Sequence, residues 1–218
     1  MEKVIYSLTM LRSRRALVQK YGKEFWAAFK KSSKAKLNDI VPFTPDIGKS
    51  IFAFNFKFGP PYIAWYQTLR ELGLQQQQAW ETIWLMNEKL LATAPRGLLH
   101  LCGKLYFRGM KKQASAHIAR QQNNELQPYD WQIAYRGVDA NTFEIDITDC
   151  GLKKLAHDFD ADGLLPGICR LDYLTSHLMG NGFERTKTLG DGDDCCNGCY
   201  HISGSCAWAP EKGFTERK

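Results

Sequence analysis

At 218 residues, 44% hydrophobic and 12% aromatic, the chain is long enough to bury a sizeable core and too apolar to be disordered. No apolar run approaches the roughly 18–20 residues of a membrane span, and the run before Arg12, Arg14 and Arg15 is too short for a secretory signal. The net charge of +6 is unevenly placed: residues 1–126 hold 20 Lys/Arg against 8 Asp/Glu, and residues 127–218 hold 9 against 15.

The basic half carries no helix-turn-helix, zinc-finger or RNA-binding signature. A solvated, lysine-rich helix surface is therefore preferred to a nucleic-acid partner. The two halves have the charges to attract each other or a second copy of the chain, which makes a homo-oligomer a partner to consider. Seven cysteines, an odd number without an export signal, argue against a disulfide framework. The expectation is a cytoplasmic protein with reduced thiols.

Along the chain, Leu17, Tyr21, Phe25 and Ala28 recur at helical spacing. Phe52, Phe54, Phe56 and Phe58 alternate, which predicts a short strand or extended segment packed in the core. Tyr62, Trp65, Leu69 and Leu72 mark a helix that starts after Pro60-Pro61 and is capped by Gly73. Trp80, Ile83, Trp84 and Leu91 mark another, ended near Pro95, and Leu98, Leu101 and Leu105 open a third. The run Gln75 to Gln78 is too short to count as a low-complexity segment. His100, His117, His157 and His177 lie singly on predicted helices and suit surface or capping roles.

After Pro128 the period changes to two. Trp131, Ile133 and Tyr135 alternate with polar residues, as do Phe143, Ile145 and Ile147, and residues 137–141 form the hairpin turn between them. Short helices follow on Leu152, Leu155, Ala156 and Phe159, and on Ile168, Leu171, Leu174 and Leu178, the second ended by Gly180-Asn181-Gly182. Residues 183–189 and 199–203 read as two further strands. The predicted fold class is α+β: a basic helical part over 1–126, then a roughly four-stranded antiparallel sheet with packed helices over 127–208, and a short tail over 209–218, together one integrated domain.

The chemistry-bearing residues gather late in the chain. Cys169 and Asp172 are three apart on a predicted helix and would share a face with Ser176. A carboxylate beside a thiol disfavours the thiolate but suits general acid/base work next to a substrate-contacting thiol. The commoner explanation is a buried cysteine near an exposed aspartate. Cys150 ends the strand Thr142–Thr148, on the face of Asp146 and Thr148. Between Glu184 and Thr188, Arg185 and Lys187 point one way and Glu184, Thr186 and Thr188 the other. Such a strand lies at a charged edge or lines a cavity, where Arg185 could grip a carboxylate. Asp191 to Asp194 is an acidic turn without the calcium-loop pattern. Cys196-x-x-Cys199 has zinc-knuckle spacing, so a divalent metal held by Cys169, Cys196, Cys199 and His201 is the alternative to a metal-free site.

The order Cys150, Cys169-x-x-Asp172-Tyr173, Arg185-Thr186-x-Thr188 and Gly192-x-x-x-Cys196 resembles the L-2-amino-thiazoline-4-carboxylic acid hydrolase family, as does Tyr66-x-x-Leu69-Arg70-x-Leu72-Gly73-Leu74 with Ala79 upstream. The resemblance covers residues 50–203. It implies a bacterial, cytosolic hydrolase of a small carboxylate-bearing cyclic amidine, whose C–N ring chemistry ends in a carbamoyl-cysteine. It further implies catalysis by Cys169, Asp172, Cys196 and Cys150, with Arg185, Thr186 and Thr188 on the substrate. One departure stands out: Asn197-Gly198-Cys199 replaces the family's Asp-Phe-Arg after the last motif cysteine. The same half is distantly similar to zinc-holding four-vinyl-reductase sensor domains, the alternative function, but Arg185 and Thr188 are poor zinc ligands at the matching positions.

Overall fold

A computed structural model describes residues 1–206; the predicted tail at 209–218 lies outside them. Helices α1 (Glu2–Tyr21), α2 (Lys23–Ile40), a single-turn α3 (Ala53–Phe56), α4 (Gly59–Glu71), α5 (Gln76–Leu91) and α6 (Arg96–Gln122) come first. They are followed by β1 (Gln132–Gly137), β2 (Thr142–Asp149), α7 (Gly151–Asp158), α8 (Leu165–Cys169), α9 (Leu171–Met179), β3 (Gly182–Arg185) and β4 (Cys196–His201). The strands form one antiparallel sheet in the order β1-β2-β4-β3. The architecture is α+β, as the change of periodicity predicts. Among the described residues no helix is long and apolar enough to cross a membrane.

Backbone chemistry explains most of the boundaries. Gly22, at φ +92°, breaks the first helical run in two and resets its phase. Trp26, Phe29, Ser33, Leu37 and Ile40 are therefore the buried face of α2, whereas the predicted Ala28 is exposed. Pro60 and Pro61 occupy the first turn of α4, where no amide donor is needed. Gly73, at φ +90°, ends α4: its N–H donates to Arg70 O at 3.1 Å and the Leu74 N–H to Leu69 O at 3.1 Å, the paired bonds of a Schellman cap. The glutamine run starts α5 as a capping box, with the Gln75 N–H donating to Gln78 Oε1 at 2.8 Å.

The expected strand at Phe52–Phe58 is the single turn α3 instead. Phe56 is fully buried and packs edge-on against Trp131 at 5.8 Å, while Phe54 is exposed. A two-residue period over so short a segment does not discriminate, and contacts with the distant Trp131 decide it. The strand at 183–189 is likewise shorter, pairing only over Gly182–Arg185 before the chain turns through Leu189–Asp191.

One hydrophobic core runs from Tyr6 through Trp65, Met86 and Phe107 to Phe143, Ile145 and Ile202, so both halves of the chain share it. The long α6 also closes the outer edge of β1. His117, predicted to be peripheral, is fully buried, and its Nε2 lies 2.9 Å from Trp131 O. One turn later the Gln121 amide accepts from Ile133 N at 2.9 Å and donates to Ile133 O at 3.2 Å.

Candidate active site

Asp172 stands in the first turn of α9, where the helix dipole favours a negative charge. Arg185, the last residue of β3, reaches across to it: Nη1 donates to Asp172 Oδ2 at 2.9 Å and Nη2 to Cys169 O at 2.9 Å. The guanidinium lies over the rings of Tyr173 and Phe183, at 5.4 and 5.3 Å from their centroids, and only 3% of the side chain is exposed. Gly198 sits opposite Arg185 in the ladder, and the Tyr200 ring fills the space a side chain there would need. Burial works against the Arg185 charge, but Asp172 and the neighbouring thiols hold its pKa above the usual value.

Asp172 combines depth with access. Burial raises its pKa above the ordinary carboxylate value, and Arg185 offsets part of that rise. Yet 48% of its side chain is accessible, because it lines a half-open cavity of about 470 Å³. That cavity lies between α5, α6 and α9, with Phe54 and Phe58 at one side and Cys102 and Leu99 at another. Two tyrosine–asparagine pairs face it: Tyr62 Oη donates to Asn87 Oδ1 at 2.9 Å, and Tyr106 Oη donates to Asn55 Oδ1 at 2.5 Å. Burial, with a further push from the Asp172 charge, keeps both phenols protonated.

A second hollow of about 470 Å³ lies on the outer face of the sheet, lined by Glu144, Asp146, Glu184, Thr186, Cys199 and their neighbours. Its charges are largely satisfied at the surface, Lys187 by Asp194 at 3.0 Å and Arg136 by Glu144. Small-molecule sites are concave and mainly apolar with a few convergent polar groups. The Asp172 cavity has that character and the outer groove does not.

The expected cysteines collect behind Arg185 rather than on the cavity wall. Cys169 ends α8, and Arg170 separates it from α9, so Cys169 and Asp172 belong to two short helices instead of one face of a single helix. Cys150 leaves β2 after Asp149 and becomes the residue before α7, turned towards the core rather than lying on the face of Asp146. The fully buried Thr188 hydroxyl lies 3.4 Å from Cys196 Sγ and accepts from Gly190 N at 3.3 Å. The Leu189 N–H donates to Cys196 Sγ at 3.2 Å. Burial pushes the Cys150 thiol up to about 12 and the Cys169 thiol up to about 11, each raised further by the neighbouring thiols.

Three expected groups are placed as follows. Arg185 has both terminal nitrogens engaged within the protein and lies at the outer hollow rather than on the wall of the Asp172 cavity. Thr186 points outward and accepts from Asn197 Nδ2 at 2.6 Å, and Asn197 also receives the Thr186 and Lys187 amides. The residue at the family departure thus fastens the end of β3. The alternative metal set does not assemble, because alternation along β4 sends Cys196 inward while Cys199 and His201 point outward, 3.9 Å from each other. Among the described residues no group of three or more His, Cys, Asp and Glu side chains is placed to hold a metal ion.

Tyr62, Asn55, Asn87 and Tyr106 were not expected in the site. A signal was present in Asn55, which interrupts the apolar run Phe52-Ala53-Phe54-Asn55-Phe56, but not in Asn87, which the charged Glu88 and Lys89 follow. Also unexpected is the buried pair of Arg170 with Asp191, which fixes the Leu189–Asp191 turn against α8 beside the thiols.

No curated protein and no solved structure gives a match to the chain. The sequence model for L-2-amino-thiazoline-4-carboxylic acid hydrolase does match, over residues 57–200. That span takes in α4 through most of β4, and with them Asp172, Arg185, the clustered thiols and all of the cavity wall but Phe54 and Asn55. The protein is therefore a member of the L-2-amino-thiazoline-4-carboxylic acid hydrolase family.

Proposed function

We propose that the protein hydrolyses a cyclic amidine or imine at its C=N carbon, with Asp172 as the acid/base group. The observation that carries this reading is the divided carboxylate of Asp172. One oxygen is held by Arg185, and the side chain remains accessible from a cavity in which, among the described residues, it is the one charged lining residue.

The carboxyl gives its proton to the ring nitrogen, or meets a substrate that already carries it. The C=N carbon becomes more electrophilic. Water then adds to that carbon while the Asp172 carboxylate takes the water's proton. The net change is addition of water across C=N, and Asp172 is protonated at the end of this step. The tetrahedral adduct then collapses with cleavage of a ring bond: Asp172 gives its proton to the departing heteroatom and takes the proton of the adduct hydroxyl, which becomes the carbonyl. Any proton the substrate brought passes to solvent. Arg185 is a positioning residue: it fixes the carboxylate and stabilises its ionised form. Cys169 and Cys150 serve as packing groups behind Arg185, because their raised thiol pKa values leave little nucleophile at neutral pH.

The test is ring opening of 2-aminothiazoline and of its 4-carboxylate, followed by the appearance of the carbamoyl product. Asp172→Asn should lower kcat/KM by about 10²–10⁴-fold, the usual contribution of a general acid/base, with the unfolding midpoint recorded in parallel. Undiminished turnover in a folded Asp172→Asn protein would remove Asp172 from this role.

A further inference from the structure

Positive charge and exposed apolar surface coincide on a part of the chain that precedes the family match. Residues 1–40 hold 10 Lys/Arg and 3 Asp/Glu, a balance of +7 where the whole chain has +6. They form the hairpin of α1 and α2, and the matched residues are 57–200. We infer that this hairpin docks on the surface of an anionic lipid bilayer through the exposed side of α1.

The first support is the arrangement of side chains around α1. One side of the helix is held to the protein by Ile5, Thr9, Ser13 and Leu17, all buried. At roughly 3.6 residues per turn, Val4, Leu8 and Leu11 fall in one stripe on the opposite side. There they are 56%, 46% and 66% exposed. A surface helix ordinarily turns polar residues to that side. Apolar side chains thus stand on both sides of α1, and packing within the chain accounts for one of them only. An apolar stripe bordered by charge is the surface an interfacial helix presents.

The second is the setting of the stripe. A trough of about 620 Å³ runs beside it between α1 and α2, and Leu11 belongs to both. The floor is Tyr6, Met10, Trp26 and Leu37, with Tyr6 Oη 2.8 Å from Ser33 Oγ beneath it. Lys3, Arg14, Lys30 and Lys34 stand on the rim, and among the described residues no acid lines the trough. None of these four cations makes an ion pair with a described residue, whereas Lys36 and Lys57 pair with Glu71 and Glu2. Their long apolar stems lie along apolar surface while the charged tips reach head groups.

The third is how other occupants fit. A second copy related by a two-fold axis sets +7 against +7. The acidic outer hollow of the sheet, with Glu144, Asp146 and Glu184, offers no apolar counterpart to Val4, Leu8 and Leu11. A nucleic acid engages the cations and leaves the stripe in water. An anionic bilayer takes both, since basic residues are attracted to its head groups and apolar side chains enter its acyl boundary.

Flotation of the intact chain reads the contact, using vesicles of phosphatidylcholine alone or with about one third phosphatidylglycerol, an anionic lipid. The protein should float with the anionic vesicles, stay behind with the neutral ones and be released by high salt. Lys30→Gln with Lys34→Gln should lower the partition coefficient by about tenfold, from the attraction each basic residue adds. Leu8→Ser with Leu11→Ser should lower it by about as much at constant charge, because less apolar surface is inserted. All four positions are exposed, so the unfolding midpoints should match the parent's. Absence of flotation with anionic vesicles would overturn the inference. Undiminished flotation of the leucine variant would also overturn it, leaving only a general basic surface. Two further results would reassign the face and overturn the inference as well. One is duplex DNA bound more tightly than the vesicles. The other is a dimer that dissociates in the leucine variant while nothing floats. The comparison of neutral with anionic vesicles stands on the parent protein even if a variant does not fold.

Discussion

Arg170 and Asp191 are joined by two parallel contacts, Nη1 to Oδ1 at 3.0 Å and Nη2 to Oδ2 at 3.1 Å, with only 4% and 7% of their side chains exposed. Arg170 Nη1 also donates to Pro166 O at 2.6 Å, so one side chain ties the acidic turn to the start of α8. A buried pair of this kind contributes little over an apolar substitute, but losing one partner strands the other charge. Arg170→Ala should therefore cost about 3–5 kcal/mol in denaturant unfolding. The double change Arg170→Leu with Asp191→Leu should cost clearly less than that single one. Equal losses would show that the turn depends on the ion pair itself and not on avoiding a stranded charge.

The raised pKa of Asp172 predicts a pH dependence of definite sign. Its folded value lies above its unfolded one, so the native state keeps a proton that the unfolded chain has released. The neutral form favours folding at low pH. That contribution is lost as pH rises from near 3.9, the ordinary aspartate value, through the folded value. For catalysis, the acidic limb of kcat/KM against pH should lie above the ordinary carboxylate range and disappear in Asp172→Asn. A limb at the ordinary value would mean that the cavity does not desolvate the carboxylate.

Thiol reactivity should follow burial. Cys102 is exposed at the mouth of the cavity, whereas Cys150 and Cys169 are held protonated, at about 12 and about 11. Iodoacetamide at pH 7.5 should alkylate Cys102 while leaving Cys150 and Cys169 unmodified in the native protein, as read by peptide mass spectrometry. Rapid labelling of Cys169 under native conditions would restore it as a nucleophile candidate.

Gly167 lies against the indole of Trp80, so closely that a methyl group would overlap it. Trp80 is itself anchored by its Nε1 donating to Gly163 O at 2.8 Å. Gly167→Ala should thus force α5 and α8 apart and destabilise the fold by about 1–3 kcal/mol, the usual cost of overpacking. Thermal unfolding measures it, and a variant as stable as the parent would show that Trp80 can move aside.

The elements that were legible in the sequence are those whose period is set by one solvent boundary. β1 and β2 alternate because one face meets the core, and α9 repeats through Leu171 and Leu174, both buried. Phe52 to Phe58 was not legible, because distant rings decide its conformation. Around the site, Cys169, Asp172, Arg185, Thr188 and Cys196 do converge, as their order along the chain suggested. Their division into a cavity-facing carboxylate and a buried arginine–thiol layer was hidden, since it depends on which way β3 carries the Arg185 guanidinium. The opposite cavity wall was hidden too. Tyr62 and Tyr106 have the helical spacing of core residues, and only their hydroxyl partners on other helices mark them as polar groups facing a ligand space.

His117 and Gln121 of α6 have a consequence for the whole sheet. By engaging Trp131 O and both polar backbone groups of Ile133, they act as a surrogate strand along the margin of β1. An incoming chain finds no backbone template at those positions. The opposite margin is β3, only four residues long and ending at the arginine that holds Asp172. Lateral growth of the sheet is thereby discouraged on one side by mimicry and on the other by brevity.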